Sequence, residues 1–213
     1  MATYALVGEV QTDLVALIGY ALKRHGVQVA AQFWLQSLAS SQKRVVIVTP
    51  LVDLCGVREA YSRILTDLGT EAFVTQKLLQ SDLLVILGER EAKPALEASR
   101  SGMVNLARLG PYEDVEVYFI PDASEIPKSG FLHLTPVDSR DSKSYVVTFG
   151  AFGHGGAMKP RTLPKSDLEV FLSSIPANES QRTEVVETLR NNRSVSIILN
   201  GIKLATLYDL GLV

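Results

Sequence analysis

Apolar residues along this chain fall into short continuous runs separated by stretches with helical spacing. The first run, TYALVGE, reads as a strand. In VQTDLVALIGYALKRHG the apolar positions 14, 17, 18, 21 and 22 share one helix face. Gly26 stops that helix behind Lys23, Arg24 and His25, cations that suit the negative end of a helix. VQVAAQFWLQSLASS fits a strand or a helix, whereas KRVVIVTP is a buried strand closed by a proline. VREAYSRILTDLG has helical spacing, and SDLLVILGE is a continuous run of the kind found in parallel strands covered on both faces. KPALEASRSGMVNLARLG reads as a helix with a proline near its start, where a missing N–H costs little. VEVYFIP is a fourth strand, and DASEIPKSG is the turn after it.

Strands alternating with helices predict an α/β fold, a Rossmann-like parallel sheet with helices on both faces, over residues 1–130. From residue 131 the pattern changes and predicts a reduced second region, 131–213, packed on the first. Here FLHLTPVDSRDSK is polar and irregular, SYVVTFG is a strand, and GAFGHGGAMKP is rich in glycine. DLEVFLSSI and ESQRTEVVETLRNN read as helices, and SVSIILNGIKLATLYDLGLV as a helix with a small residue at Gly201.

Composition narrows the function classes. With 46% apolar and 21% charged residues among 213, the chain has enough material for a real core. A formal charge of -2, with both signs interleaved, disfavours nucleic acid and anionic membranes as partners. Cys55 is the one cysteine, so no internal disulfide framework and no thiolate cluster for zinc is expected, and a reducing compartment fits. No targeting segment is visible, and no apolar run reaches the roughly 18 to 20 residues that cross a bilayer, so a soluble protein without a membrane span is expected.

Taken in order, several segments resemble the malate and lactate dehydrogenase family. KRVVIVTPLVDLCGVREAYSRIL is similar to that family's second strand and following helix, and QSDLLVILGEREAKPALEASRSGMVNLARL to the next strand, active-site loop and helix. VEVYFIPDASEIP resembles the strand that ends in Asn-Pro-x-Asn-Ser, and YVVTFGAFGHGGAMKP the segment carrying the catalytic histidine. The resemblance implies a shortened family member in which 131–213 is a remnant of the substrate domain, with most of the cofactor and substrate residues replaced.

A dinucleotide site needs glycines after the first strand and an acid on the second, for the pyrophosphate and the ribose hydroxyls. By the resemblance only Gly8 remains, the later glycine positions fall at Gln11 and Leu14, and the acid falls near Pro50. Asp53, or Glu9, is the substitute available to the ribose. The arginine pair that grips a substrate carboxylate falls at Ala92 and Ala98, with Arg90 and Arg100 as displaced candidates, and the family's two asparagines fall at Ile120 and Ala123. His154 is the remaining proton-transfer candidate, with Asp138 to orient its imidazole. Against that stands a turn histidine among glycines, with Asp138 and Arg140 as a surface pair.

Other features carry less chemistry. GAFGHGG has the glycines of a phosphate cradle without the Lys-Ser/Thr of a P-loop. His25 and His133 lack partners at metal-ligand spacing, Cys55 reads as a small core residue, and Phe33 and Trp34 read as core or as an interface anchor. The expectation is a non-catalytic, malate-dehydrogenase-like structural or accessory subunit held by protein partners in a larger assembly, with no cofactor. The alternative is an NAD(H)-dependent 2-hydroxy-acid oxidoreductase with an altered site.

Overall fold

A computed structural model describes residues 9–38, 43–69, 84–98, 103–137, 144–152 and 160–213. The chain divides into two compact units, Met1–Ala123 and Ser124–Val213. The opening run expected to form the first strand lies outside the described residues.

In the first unit, helix α1 (Glu9–Arg24) leads into strands β1 (Ala31–Ser37) and β2 (Lys43–Val48). Helices α2 (Leu51–Cys55) and α3 (Val57–Gly69) follow, then strand β3 (Leu84–Leu87) and helix α4 (Glu89–Ala98). Strands β4 (Met103–Leu109) and β5 (Tyr112–Phe119) complete a five-stranded sheet ordered β3-β2-β1-β5-β4. Phe33, Leu35, Val46, Val48 and Val117 on one sheet face pack with Ala92 and Ala95 of α4. On the other face Gln32 lies against Gly19 of α1, where a Cβ would come within 2.0 Å of Gln32 Oε1. Tyr61 of α3 donates a 2.6 Å hydrogen bond to the carbonyl of Leu84, and burial raises its pKa.

The expected parallel sheet is corrected here, because β2 and β3 are the one parallel pair among the described strands and β1–β2, β1–β5 and β4–β5 are antiparallel. The reason is loop length. A parallel connection needs about a dozen residues or more, but only positions 38–42 join β1 to β2, and only Gly110 and Pro111 join β4 to β5. Gly110 has φ +57°, the left-handed value that the first position of such a two-residue hairpin requires. The helix expected across KPALEASRSGMVNLARLG accordingly ends at Ala98 and gives way to β4. The ambiguous QFWLQS stretch is strand β1, between β2 and β5, with both Phe33 and Trp34 buried.

The second unit is a four-stranded antiparallel sheet ordered β8-β7-β6-β9. Its strands are β6 (Pro127–Pro136), β7 (Ser144–Ala151), β8 (Arg161–Pro164) and β9 (Val195–Lys203). Helices α5 (Leu168–Ser173), α6 (Glu179–Arg190) and α7 (Leu204–Asp209) complete it. Leu132, Leu134, Val147, Phe149, Ile197 and Leu199 on the inward sheet face pack with Phe171, Leu172, Val185, Leu189 and Leu207 of the helices. Asn178 caps α6 by accepting from Gln181 N at 2.8 Å, and Gln181 Oε1 accepts from Asn178 N at 2.9 Å.

Two expectations are corrected in this unit. FLHLTP is not irregular but the inner strand β6, in which Leu132 and Leu134 point inward and Phe131 outward. SVSIILNGIK is a strand rather than a helix: Ile197 and Leu199 are buried, whereas Ser196, Ile198 and Asn200 are exposed, an alternation of period two. Gly201 at φ +73° breaks the strand's regularity before α7.

Candidate functional site

In open α/β sheets ligands bind beyond the carboxyl ends of parallel strands, which directs attention to the ends of β2 and β3. Thr49 follows β2 and is fully buried. Its N–H donates to Leu87 O at 3.0 Å, and its hydroxyl accepts from Leu51 N at 3.2 Å as α2 begins. Asp53, on α2, points at the start of α4, where Oδ2 accepts from Glu89 N at 2.8 Å. Gly88 makes this approach feasible, because a Cβ there would lie 2.7 Å from Asp53 Oδ1 and 2.9 Å from its Cγ.

The arrangement is a helix N-terminus neutralised from within the chain. Free N–H groups and the helix dipole attract an anion to such a terminus, and the Asp53 carboxylate occupies that role at α4. Arg90 Nε stands 3.9 Å from Asp53 Oδ1 with its side chain 88% exposed. That is a solvated ion pair of little energetic weight, and Arg90 remains turned to water.

Of the sequence-derived site residues, Asp53 and Arg90 are brought together, though around a helix start rather than a ribose and a substrate carboxylate. Gly8, Arg100, Asp138 and His154 lie outside the described residues, as do positions 153–159 of the glycine-rich segment. Ala92, Ile120 and Ala123, the positions that the resemblance gave to an arginine and two asparagines, are buried in the first unit. Cys55 is exposed rather than in the core, because α2 ends there, and its Sγ donates to Leu51 O at 3.1 Å. Thr49 and Gly88 were missed; the signal for both is a small residue directly after a buried apolar run.

The second unit carries a polar cross-strand pair that sequence spacing did not reveal. His133 Nδ1 and Ser196 Oγ are 2.8 Å apart on the face turned away from the helices, where β6 and β9 align them. The contact ties β6 to β9 on that face. A shallow cleft of about 280 Å³ lies between α5 and α6, with Glu169, Glu187, Arg182 and Arg190 on its walls. Charges of both signs line it, which selects no single ligand charge. Among the described residues no group of three His, Cys, Asp or Glu side chains is placed to hold a metal, and no helix is long and apolar enough to cross a membrane. No protein-family model, curated protein or solved structure matches the chain.

Proposed function

We propose that the chain is a non-catalytic protein acting as a structural or accessory subunit of a larger protein assembly. The observation that carries the reading is Asp53. Its carboxylate takes the Glu89 N–H at the carboxyl end of the parallel pair, the place where an α/β sheet would offer a helix terminus to a phosphate. A cofactor phosphate arriving there would meet a negative charge already satisfied by the protein.

Uncovered apolar side chains support the contact role. Leu54 and Val57 are exposed at the α2–α3 corner of the first unit, and Phe131, Phe152 and Ile198 on the outward sheet face of the second. Grouped apolar exposure of this kind marks contact surfaces in proteins. Descent from malate or lactate dehydrogenases belongs to the proposal only as the origin of the order of segments; the subunit role rests on Asp53 and the exposed faces.

The test is the size of the native particle containing this chain, measured on gently lysed source cells by gel filtration and native mass spectrometry. A stoichiometric complex with other proteins is expected. Quantitative recovery of the chain free of other proteins overturns the reading.

A further inference from the structure

Strand β9 carries a bulge in its pairing with β6. Leu199 pairs with Gly130 and Ile202 with Lys128, so Asn200 and Gly201 together face Ser129 alone. Such a two-against-one insertion leaves a residue out of the ladder. Gly201 has φ +73°, and its N–H donates to Ser129 Oγ at 3.3 Å, a long bond to a side chain in place of a ladder carbonyl. Leu199 and Ile202 are buried on either side of the bulge, whereas Asn200 and Gly201 are both exposed.

Chemically these two residues are a reactive pair. The carboxamide carbon of an asparagine is an electrophile within reach of the next residue's backbone nitrogen, and bond formation between them closes a succinimide ring. Closure is ordinarily hindered by the side chain of the following residue and by a backbone fixed in a regular ladder. Glycine has no Cβ, and one built at Gly201 would meet no atom within 4 Å beyond its chain neighbours, so the approach is uncrowded. The chain has five asparagines, followed in turn by Leu106, Glu179, Asn192, Arg193 and Gly201, so Asn200 alone precedes a glycine.

We propose that Asn200–Gly201 is a site of intramolecular deamidation, which places a negative charge on the outward side of β9 as the protein ages. Gly201 N loses its proton and bonds to Cγ of Asn200, the Cγ–Nδ2 bond breaks, and ammonia leaves with that proton. Water then opens the ring. Attack at Cγ breaks the newly made bond and gives aspartate. Attack at the main-chain carbonyl of residue 200 breaks its bond to Gly201 N and gives isoaspartate, in which the chain runs through Cγ. Either product is a carboxylate, ionised near neutral pH. The charge arises two residues from the exposed Ile198, which pairs with the exposed Phe131 of β6. Isoaspartate also adds a backbone atom, at a bulge that already holds an extra residue. The site is independent of the subunit reading, since it rests on the bulge and the Asn-Gly pair alone.

Peptide mapping by mass spectrometry, with aspartate and isoaspartate forms separated chromatographically, tests the site on the purified full chain held folded in warm, mildly alkaline buffer. Asn200 is expected to convert about ten-fold or more faster than Asn105, Asn178, Asn191 or Asn192, because each of those precedes a residue with a Cβ. Isoaspartate should be among the products, and the rate should rise with pH as the attacking nitrogen is more easily deprotonated. In urea the same peptide should convert at a rate within about ten-fold of that in the folded chain, because the bulge already frees the pair from the ladder. On isoelectric focusing the intact chain should gain an acidic species at the same rate, and Asn200→Gln should remove it. An Asn200 that stays intact in the folded chain while converting in urea overturns the proposal. So does conversion no faster than at the other asparagines, aspartate formed without isoaspartate, or an acidic species that Asn200→Gln still forms at the parent's rate. The mapping uses the unsubstituted chain, so its outcome stands even if the variant misfolds.

Discussion

Removing the Asp53 carboxylate should destabilise the first unit and at the same time convert Gly88 from a required residue into a replaceable one. Asp53→Ala deletes the acceptor for Glu89 N–H, a capping loss of about 1 kcal/mol. Gly88→Ala alone builds a Cβ 2.7 Å from Asp53 Oδ1, so the carboxylate must leave and the cap is lost again. Alanine's smaller unfolded-state entropy offsets about 0.5 kcal/mol of that, because Gly88 does not have a left-handed φ. The single substitutions therefore cost about 1 and about 0.5 kcal/mol, while the double variant costs about 0.5 kcal/mol, since one cap can be lost only once. The coupling is about -1 kcal/mol, above the roughly 0.3–0.5 kcal/mol expected of independent sites. Urea unfolding followed by tryptophan fluorescence reads it, because Trp34 is the one tryptophan and is buried in β1 of the same unit. Additive costs would refute the claim that Asp53 occupies the α4 terminus against Gly88.

Three further predictions probe other parts of the chain. Asn178→Ala should cost about 1 kcal/mol through loss of the α6 capping box, read by circular dichroism in urea, and an unchanged midpoint would contradict the cap. Gly19→Ala should cost about 1–3 kcal/mol by overpacking against Gln32, which is only 6% exposed; a neutral effect on the Trp34 transition would show that α1 does not rest on β1 there. Tyr118 donates a 2.7 Å hydrogen bond to Glu116, and that carboxylate, with some desolvation, pushes the phenol up to about 12. Because the folded value lies above the ordinary value of 10.0, the tie contributes stability below pH 10 and loses it as pH rises toward 12. In a 295 nm titration Glu116→Gln should return one tyrosine to the ordinary range, and an unchanged curve would rule out the pairing.

The parts of the fold legible in the sequence were those fixed by local pattern. The runs VVIV (45–48) and LVIL (84–87) are uniformly apolar and became the parallel pair, and the helical spacings at α1, α3, α5 and α6 were realised. What pattern alone did not fix was strand direction, which here follows from the short loops at 38–42 and Gly110-Pro111. SVSIILNGIK misled because adjacent apolar residues Ile197 and Ile198 obscure the alternation, which becomes plain only once one face is covered by helices. FLHLTP hid its strand in the same way, behind His133 and a closing proline. At the candidate site, Asp53 and Arg90 were found by residue type. The role of Asp53 as the cap of a helix 36 positions away depends on a tertiary approach that spacing does not encode.

Titration of the purified chain with NADH and NAD up to millimolar concentration, followed by thermal unfolding, measures most directly whether the carboxyl end of the parallel pair is closed to a cofactor. Linkage raises stability by about 2.7 kcal/mol when a ligand is at a hundred times its dissociation constant, so binding of even modest strength would be visible. A flat melting temperature across the titration is the predicted result. A saturable rise, abolished by substituting residues around the β2 and β3 termini, would contradict a non-catalytic subunit and restore the oxidoreductase.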